Sequence, residues 1–147
     1  MKYKILFSIL TILFVFLLAS GTAFAAPVEI RTADDLMKIG DSDVNLSLDY
    51  ILMNDIDFTG KDFTPIGNYS DPFKGTFDGN GYTISNITSD VGGLFRSASD
   101  AEFNDIVLKD ININVKGGNY IGGLLGQGSN VSIKNCSIES GNSVVSG

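Results

Sequence analysis

The side chains of this chain that could carry out acid–base chemistry are carboxylates, because the sequence contains no histidine. Neither a Ser–His–Asp triad nor a histidine-ligated metal site can therefore form. Two carboxylates can still hydrolyse a glycosidic bond, one as general acid and the other as base or nucleophile. The candidates for such a pair are Asp55, Asp57, Asp78 and Asp105. A carboxylate pair is thus the one catalytic device that the sequence offers.

Several of these carboxylates also fit a purely structural pattern. An apolar residue, any residue, Asn or Asp, and a second apolar residue recur at residues 53–56, 84–87, 103–106 and 133–136. Asn and Asp readily adopt turn conformations, and stacked amides can hydrogen-bond from one coil of a chain to the next. We therefore expect a structural ladder, and no catalytic residue, at the third position of each copy: Asp55, Asn86, Asp105 and Asn135.

Residues 54–57 and 78–81 have the oxygen-rich composition of calcium-binding loops. Neither matches the Asp-x-Asn-x-Asn-Gly spacing that such loops require. Asn, Asp and Gly are also the residues that form tight turns. We therefore interpret both segments as turns, and the sequence predicts neither a metal nor a cofactor.

The elements that must position these side chains are indicated by an internal repeat. Residues 91–117 align without a gap with residues 121–147. In this alignment Phe103 falls on Ile133, Ile106 on Cys136, and Val115 on Val145. Apolar positions that recur in the same chain direction are typical of a solenoid, in which like side chains stack in one core. The repeat thus predicts an all-β fold of stacked parallel coils.

The segment Ile121-Gly-Gly-Leu-Leu-Gly126 and its partner Val91-Gly-Gly-Leu-Phe95 resemble the signature of the GLUG-motif repeat proteins. Residues 73–86 resemble the segment that leads into such repeats, and the first copy departs from the signature by carrying Arg96 in place of the closing glycine. The residues that carry the motif are Gly92, Gly93, Leu94, Gly122, Gly123, Leu124 and Gly126.

This resemblance implies a right-handed parallel β-helix of the pectin lyase-like type, in a secreted or cell-surface protein. It also implies a structural or adhesive role, with an extracellular glycan or a cell-surface component as the candidate partner. The alternative is a fragment of a β-helical polysaccharide-processing enzyme, a hydrolase or a lyase. Glycan binding without hydrolysis would separate the two functions.

The sequence predicts that the chain divides into three regions. Lys2 and Lys4 precede an apolar run that ends in Ala23-Phe24-Ala25, which predicts that residues 1–25 form a signal peptide and that the protein is exported. Residues 26–47 are expected to cap the solenoid with a short helix at residues 33–39, which Thr32 starts and Gly40 stops. Residues 48–147 then form the coils, with GLUG-like repeats at residues 91–120 and 121–147.

The net charge and the single cysteine limit the kinds of partner that the sequence predicts. With 17 acidic and 10 basic side chains, the net charge is −7, so nucleic acid is not expected as a partner. The single thiol, Cys136, aligns with Ile106 and is expected to be a small buried hydrophobe.

The second repeat stops at Gly147, before it is complete. We therefore expect the solenoid to be truncated at its C-terminal end, which leaves Ile133, Ile138 and Val145 uncovered. An uncovered coil of this kind predicts self-association through the C-terminal end.

Overall fold

A computed structural model describes residues 25–116, 121–139 and 144–146. Short parallel strands stack in these residues as a β-solenoid of about three turns, with one short α-helix near the N-terminal end. The predicted fold class, a parallel β-helix with a short N-terminal helix, is therefore confirmed.

The secondary-structure elements are all short. The helix α1 spans Ala33–Met37 and is followed by two 3-10 turns at Lys38–Asp41 and Asn45–Ser47. The strands of the described residues are β1 (Val28–Ile30), β2 (Tyr50–Leu52), β3 (Ile56–Asp57), β4 (Thr76–Asp78), β5 (Thr83–Ser85), β6 (Thr88–Ser89), β7 (Phe95–Ser99), β8 (Glu102–Asn104), β9 (Val107–Lys109), β10 (Asn112–Asn114), β11 (Leu125–Ser129), β12 (Ser132–Lys134), β13 (Ser137–Glu139) and β14 (Val144–Ser146).

These strands form four parallel sheets, so that a complete coil has four sides. The sheet orders are β1-β2-β4-β8-β12, β3-β5-β9-β13, β6-β10-β14 and β7-β11. The alignment of the two repeats holds in the strand pairing, where Phe103 pairs with Ile133 and Leu108 with Ile138. In β14 it does not hold, because Val145 pairs with Ile113 rather than with Val115. The link between β13 and β14 is therefore longer than the link between β9 and β10.

A regular five-residue side explains how the chain turns between sheets. Each of the three strands β7, β8 and β9 is followed by an Asp in the left-handed conformation: Asp100 at φ 53°, Asp105 at φ 53° and Asp110 at φ 50°. Asp and Asn are the residues other than glycine that adopt this conformation most readily. A buried apolar residue follows each of them, namely Ala101, Ile106 and Ile111. Each side therefore ends with a polar corner residue and an apolar residue that anchors the next strand in the core.

Aromatic rings fill the centre of the solenoid. Phe73, Phe77, Phe95 and Phe103 are fully buried and contact one another across successive coils. The ring centroids of Phe95 and Phe103 lie 4.5 Å apart, tilted by 46°. The rings of Phe77 and Phe95 meet edge to face at 75°, which adds favourable electrostatics to the buried apolar area. The core is therefore continuous from coil to coil.

The N-terminal helix starts at the predicted residue but ends earlier than predicted. The Thr32 hydroxyl accepts a hydrogen bond from the backbone N–H of Asp35 at 3.1 Å, which makes Thr32 the N-cap. The α-helix stops at Met37 instead of residue 39, because the chain tightens into a 3-10 turn that runs through Gly40. The buried side chains of Leu36 and Ile39 fix this segment against the core.

The solenoid also starts earlier in the sequence than expected. β1 pairs in parallel with β2 through Val28, Glu29 and Ile30, so the first sheet includes residues that the sequence assigned to the capping segment at 26–47. The predicted signal peptide lies outside the described residues except for Ala25. Across residues 25–116, 121–139 and 144–146, no helix has the length and apolar character needed to cross a membrane.

The apolar side chains of the last described coil are exposed, as the sequence predicted. Ile133 is 51% exposed, Ile138 45% and Val145 41%, whereas their partners Phe103, Leu108 and Ile113 in the preceding coil are buried. The core of the solenoid therefore reaches the surface at this end of the described structure.

Candidate functional site

Polar side chains at the corners pair from coil to coil. Asn135 donates a hydrogen bond from Nδ2 to Oδ1 of Asp105 at 3.1 Å, and Asn130 donates in the same way to Asp100 at 2.6 Å. A third pair joins Asn86 Nδ2 to Asp57 Oδ1 at 2.8 Å. In each pair the amide of the later coil donates to the carboxylate of the earlier coil. The corners are thus held by side-chain pairs as well as by the backbone ladder.

The four ladder residues predicted from the sequence do not form one stack. The structure brings Asp105 and Asn135 together, but Asn86 lies at the following corner, where its backbone N–H donates to the carbonyl of Lys109. The Oδ1 atom of Asp55 accepts a hydrogen bond from the backbone N–H of Thr83 at 2.9 Å. Corners recur every five residues along this part of a coil. The same four-residue pattern can therefore occur at two successive corners, and sequence alone does not tell them apart.

The pair formed by Asp100 and Asn130 was not predicted. Both residues have a positive φ, 53° and 54°, and their side chains are 2.6 Å apart. The signal that could have found them is an Asn or Asp followed by an apolar residue at five-residue intervals, at 100, 105 and 110 and again at 130 and 135. The four-residue pattern holds at Ala98-x-Asp100-Ala101 but not in the second copy, where Gly128 takes the place of its first apolar residue.

Two corner carboxylates have perturbed acidity. The hydrogen bond from Asn86 holds the pKa of Asp57 below its usual value, with further hydrogen bonds from Thr59. The hydrogen bond from Asn130, followed by that from Ser99, lowers the pKa of Asp100 in the same way. Hydrogen bonds to the ionised form stabilise it, so these corners are strongest when both carboxylates are charged.

These pKa shifts predict that stability falls in acid. A carboxyl group whose pKa is lower in the folded than in the unfolded protein stabilises the fold above its unfolded pKa of about 3.9, and this contribution is lost as the pH falls through the folded value. The thermal midpoint should therefore drop as the pH is lowered from about 5 to 3. The double substitution Asp57→Asn and Asp100→Asn should flatten this dependence, leaving the contribution of Asp35, whose pKa is lowered mainly by the hydrogen bond from Thr32. An unchanged slope in the double variant would contradict the assignment.

The four carboxylates considered for catalysis all accept hydrogen bonds in the turns and corners of the solenoid. Asp78 Oδ1 accepts a hydrogen bond from the N–H of Asn80 at 2.7 Å, and Asp57 Oδ1 accepts from both the N–H and the hydroxyl of Thr59 at 2.8 Å. Asp55 and Asp105 are bonded as described above. Within the described part of the chain, no three Cys, Asp or Glu side chains come close enough to hold a metal ion. The arrangement of these carboxylates therefore serves turns and corners.

Two glycines of the repeat motif, Gly93 and Gly123, lie where other parts of the solenoid come close to the backbone. A side chain on Gly93 would overlap the carbonyl oxygens of Gly122 and Gly123 in the next coil. A side chain on Gly123 would meet the Cδ1 atoms of Ile138 and Ile111, at 2.5 and 2.8 Å. Leu94 is fully buried and Leu124 is half-buried. In the first copy the second glycine therefore allows a close contact between backbones, and in the second copy it leaves room for core side chains.

The departure of the first repeat from the motif is accommodated at the surface. Leu125 pairs with Phe95 and Gln127 with Ser97, which sets Gly126 beside Arg96 on the neighbouring strand. Arg96 is exposed and Gly126 is half-buried. The large side chain in one coil thus lies next to a residue without a side chain in the following coil.

Cys136 is half-buried rather than fully buried, because the coil that contains it is the uncovered one. Its thiol lies 3.3 Å from the carbonyl oxygen of Lys134 and 3.7 Å from that of Phe103. Burial raises the pKa of the thiol, and this effect outweighs the backbone hydrogen bonds of Ile106 and Lys134, which lower the pKa. A thiol with a raised pKa is protonated at neutral pH and is a poor nucleophile.

We therefore expect Cys136 to react with a thiol reagent several-fold more slowly in the folded protein than in urea at the same pH. The reason is that both burial and the low thiolate fraction are lost on unfolding. The rate of labelling with a chromogenic disulfide at pH 7 measures the effect, with a free cysteine peptide as control. Equal rates in the two states would contradict the packing of Cys136 against Phe103.

Comparison with curated proteins finds a relative that is similar over most of this chain. The chain is similar to Halomucin of Haloquadratum walsbyi (strain DSM 16790 / HBSQ001), with 34% identity over 130 residues that cover 75% of this chain. The chain spans only about 1% of the length of that curated relative. No protein-family model matches the chain, so membership of the GLUG-motif repeat proteins stays a prediction. No solved structure matches it either.

Proposed function

We propose that this chain is a structural module of a secreted or cell-surface protein. The observation that carries the proposal is the stack of parallel coils with a continuous aromatic core and hydrogen-bonded corners, which makes a stiff body with regular lateral faces. The similarity to Halomucin, a relative of which the chain spans a small part, supports a role as one segment of a large surface protein. The finer role that we propose is adhesion, with an extracellular glycan as the partner.

Export is the first requirement of this proposal. Cleavage after Ala25 should give a mature protein that begins at Ala26, because residues 23–25 have the small-x-small pattern of a signal peptidase site. The mass of the intact protein from a secreting host measures this directly. The matched variant Ala25→Asp should keep its leader, since an acidic residue does not fit the site. A wild-type protein that still carries Met1 would contradict export.

Self-association through the last described coil would extend the module. Ile133, Ile138 and Val145 are exposed there, and β12, β13 and β14 have no described strand on their outer side. Unpaired strand edges beside apolar side chains favour pairing with another copy of the chain. We propose that two copies meet at this end.

Sedimentation velocity tests the contact between two copies. The protein should sediment as a dimer at high concentration, and Ile138→Lys should shift it towards the monomer, because a charge would be buried in the contact. Val44→Lys is the matched control, because Val44 is an exposed apolar residue near the other end of the solenoid. A strictly monomeric wild-type protein would rule out the dimer while leaving the surface role intact.

A further inference from the structure

A groove lies along one lateral face of the solenoid, over strands β6 and β10. It encloses about 560 Å³, within the range of roughly 300–1,000 Å³ that is usual for ligand sites. Asn112 and Asn114 project from β10 into solvent, because Ile113 between them is buried in the core. The residues that line the groove include Phe63, Thr88, Asp90, Asn112, Asn114 and Lys116.

The two asparagines of the groove differ from those at the corners. Asn86, Asn130 and Asn135 each donate to a carboxylate, whereas the side chains of Asn112 and Asn114 form no hydrogen bond with any residue that the structure describes. Each amide offers two donors and an acceptor. The residues are two apart on one strand, so their side chains stand about 7 Å apart along the face. The groove therefore presents repeated donor–acceptor groups in a line.

The remaining residues that line the groove limit which classes of ligand it can bind. Phe63 contacts Phe58 edge to face, with ring centroids 5.1 Å apart at 79°, and this contact fixes an aromatic ring in the wall of the groove. The negative face of an aromatic ring attracts polarised C–H groups, and it offers an apolar surface to a flat ligand. Asp90 and Lys116 bring one charge of each sign, so the lining has no net charge. This balance favours a neutral ligand over a phosphate or a carboxylate.

We propose that this groove binds a neutral oligosaccharide that lies along β10, with its hydroxyl groups bonded to Asn112 and Asn114 and the C–H face of one ring against Phe63. The ligand class follows from the combination of planar amides, a hydroxyl at Thr88, an aromatic wall and zero net charge. This inference deepens the adhesive role proposed above and rests on it for its biological setting. Binding by the purified protein, however, does not depend on export or on self-association.

Isothermal titration calorimetry with cellohexaose, laminarihexaose, mannohexaose and xylohexaose tests the groove. We expect at least one of these four probes to bind, and Asn112→Ala and Asn114→Ala each to weaken that binding about tenfold, the effect of losing about 1.4 kcal/mol of hydrogen bonding. Phe63→Ala should weaken it at least as much. Because Phe63 also packs against Phe58, urea denaturation must show that this variant is folded.

Asn104→Ala is the matched control. Asn104 is the last residue of the three-residue strand β8, as Asn114 is of β10, but it lies on a different face of the solenoid. Its substitution should leave the affinity unchanged. The proposal is overturned if none of the four probes binds, if Asn104→Ala weakens binding as much as Asn114→Ala, or if an acidic oligogalacturonate binds more tightly than all four. None of these results bears on export, so failure of the groove and failure of the surface role are distinguishable.

Discussion

Replacing Gly93 by alanine should destabilise the folded protein by about 3 kcal/mol, at the upper end of the range for overpacking. The new methyl group would overlap the carbonyl oxygens of Gly122 and Gly123 and lie 2.6 Å from the carbonyl carbon of Gly123. These atoms are backbone and cannot rotate away. The next coil could move only by stretching the hydrogen bonds from Leu94 N to Gly123 O and from Phe95 N to Leu124 O, which are 2.9 and 2.8 Å long.

Gly40→Ala is the matched control for this glycine. Nothing lies within 4 Å of the position that its Cβ would occupy, and its φ is not in the left-handed region. In the 3-10 turn at Lys38–Asp41 the added methyl group should be neutral or stabilise the protein by up to about 1 kcal/mol, because alanine has fewer unfolded conformations than glycine. Urea midpoints compare the two variants. Equal midpoints would show that the coils are not in contact at Gly93.

Phe103→Ala should cost about 3–5 kcal/mol, the usual range for removal of a buried phenylalanine ring. Phe103 is fully buried and contacts both Phe73 and Phe95, so its loss leaves a cavity that joins two coils. In a fold of this size a loss of that magnitude is a large part of the total stability. The protein should therefore be partly unfolded at 37 °C, as circular dichroism would report.

The control for this prediction is an aromatic residue at the surface. Tyr69 is exposed, and its substitution by alanine should change the free energy of unfolding by less than about 0.5 kcal/mol. A similar loss in both variants would mean that the aromatic rings do not form the core described above.

The internal repeat made the fold predictable, because a solenoid repeats its local environment. The alignment of the two repeats placed Phe103 above Ile133 and Leu108 above Ile138, and the structure pairs them in this way. The first strand was not predictable on the same basis. Residues 28–30 belong to no recognisable copy of the repeat, and only their pairing with residues 50–52 identifies them as part of the first sheet.

The corner ladder shows a limit of short patterns. Ile84-x-Asn86-Ile87 and Phe103-x-Asp105-Ile106 are alike in sequence, yet they precede different sides of the coil. A four-residue pattern contains no information on which corner it occupies. The stacking partner decides it, and that partner lies one full coil away along the chain.

The candidate groove was hidden from the sequence for a related reason. The alternation of Ile111, Asn112, Ile113, Asn114 and Val115 predicts a half-buried strand, and the burial of these residues agrees. What the alternation does not contain is Phe63, which lies much earlier in the chain and lines the same groove. The side chains of one lateral face come from separate coils, so their combination exists only after stacking.

The stack of parallel coils also determines how the protein would respond to a pulling force. One coil adds about 4.8 Å to the height of the stack but spans about 100 Å when it is drawn out. A terminal coil contacts one neighbour only, whereas an inner coil contacts two. Tension applied at the chain ends should therefore unwind the stack one coil at a time, and each coil should lengthen the tether by roughly 100 Å before the next one opens. A surface layer built from such coils would stretch under shear in steps and recoil when each strand pairs again on the coil left behind.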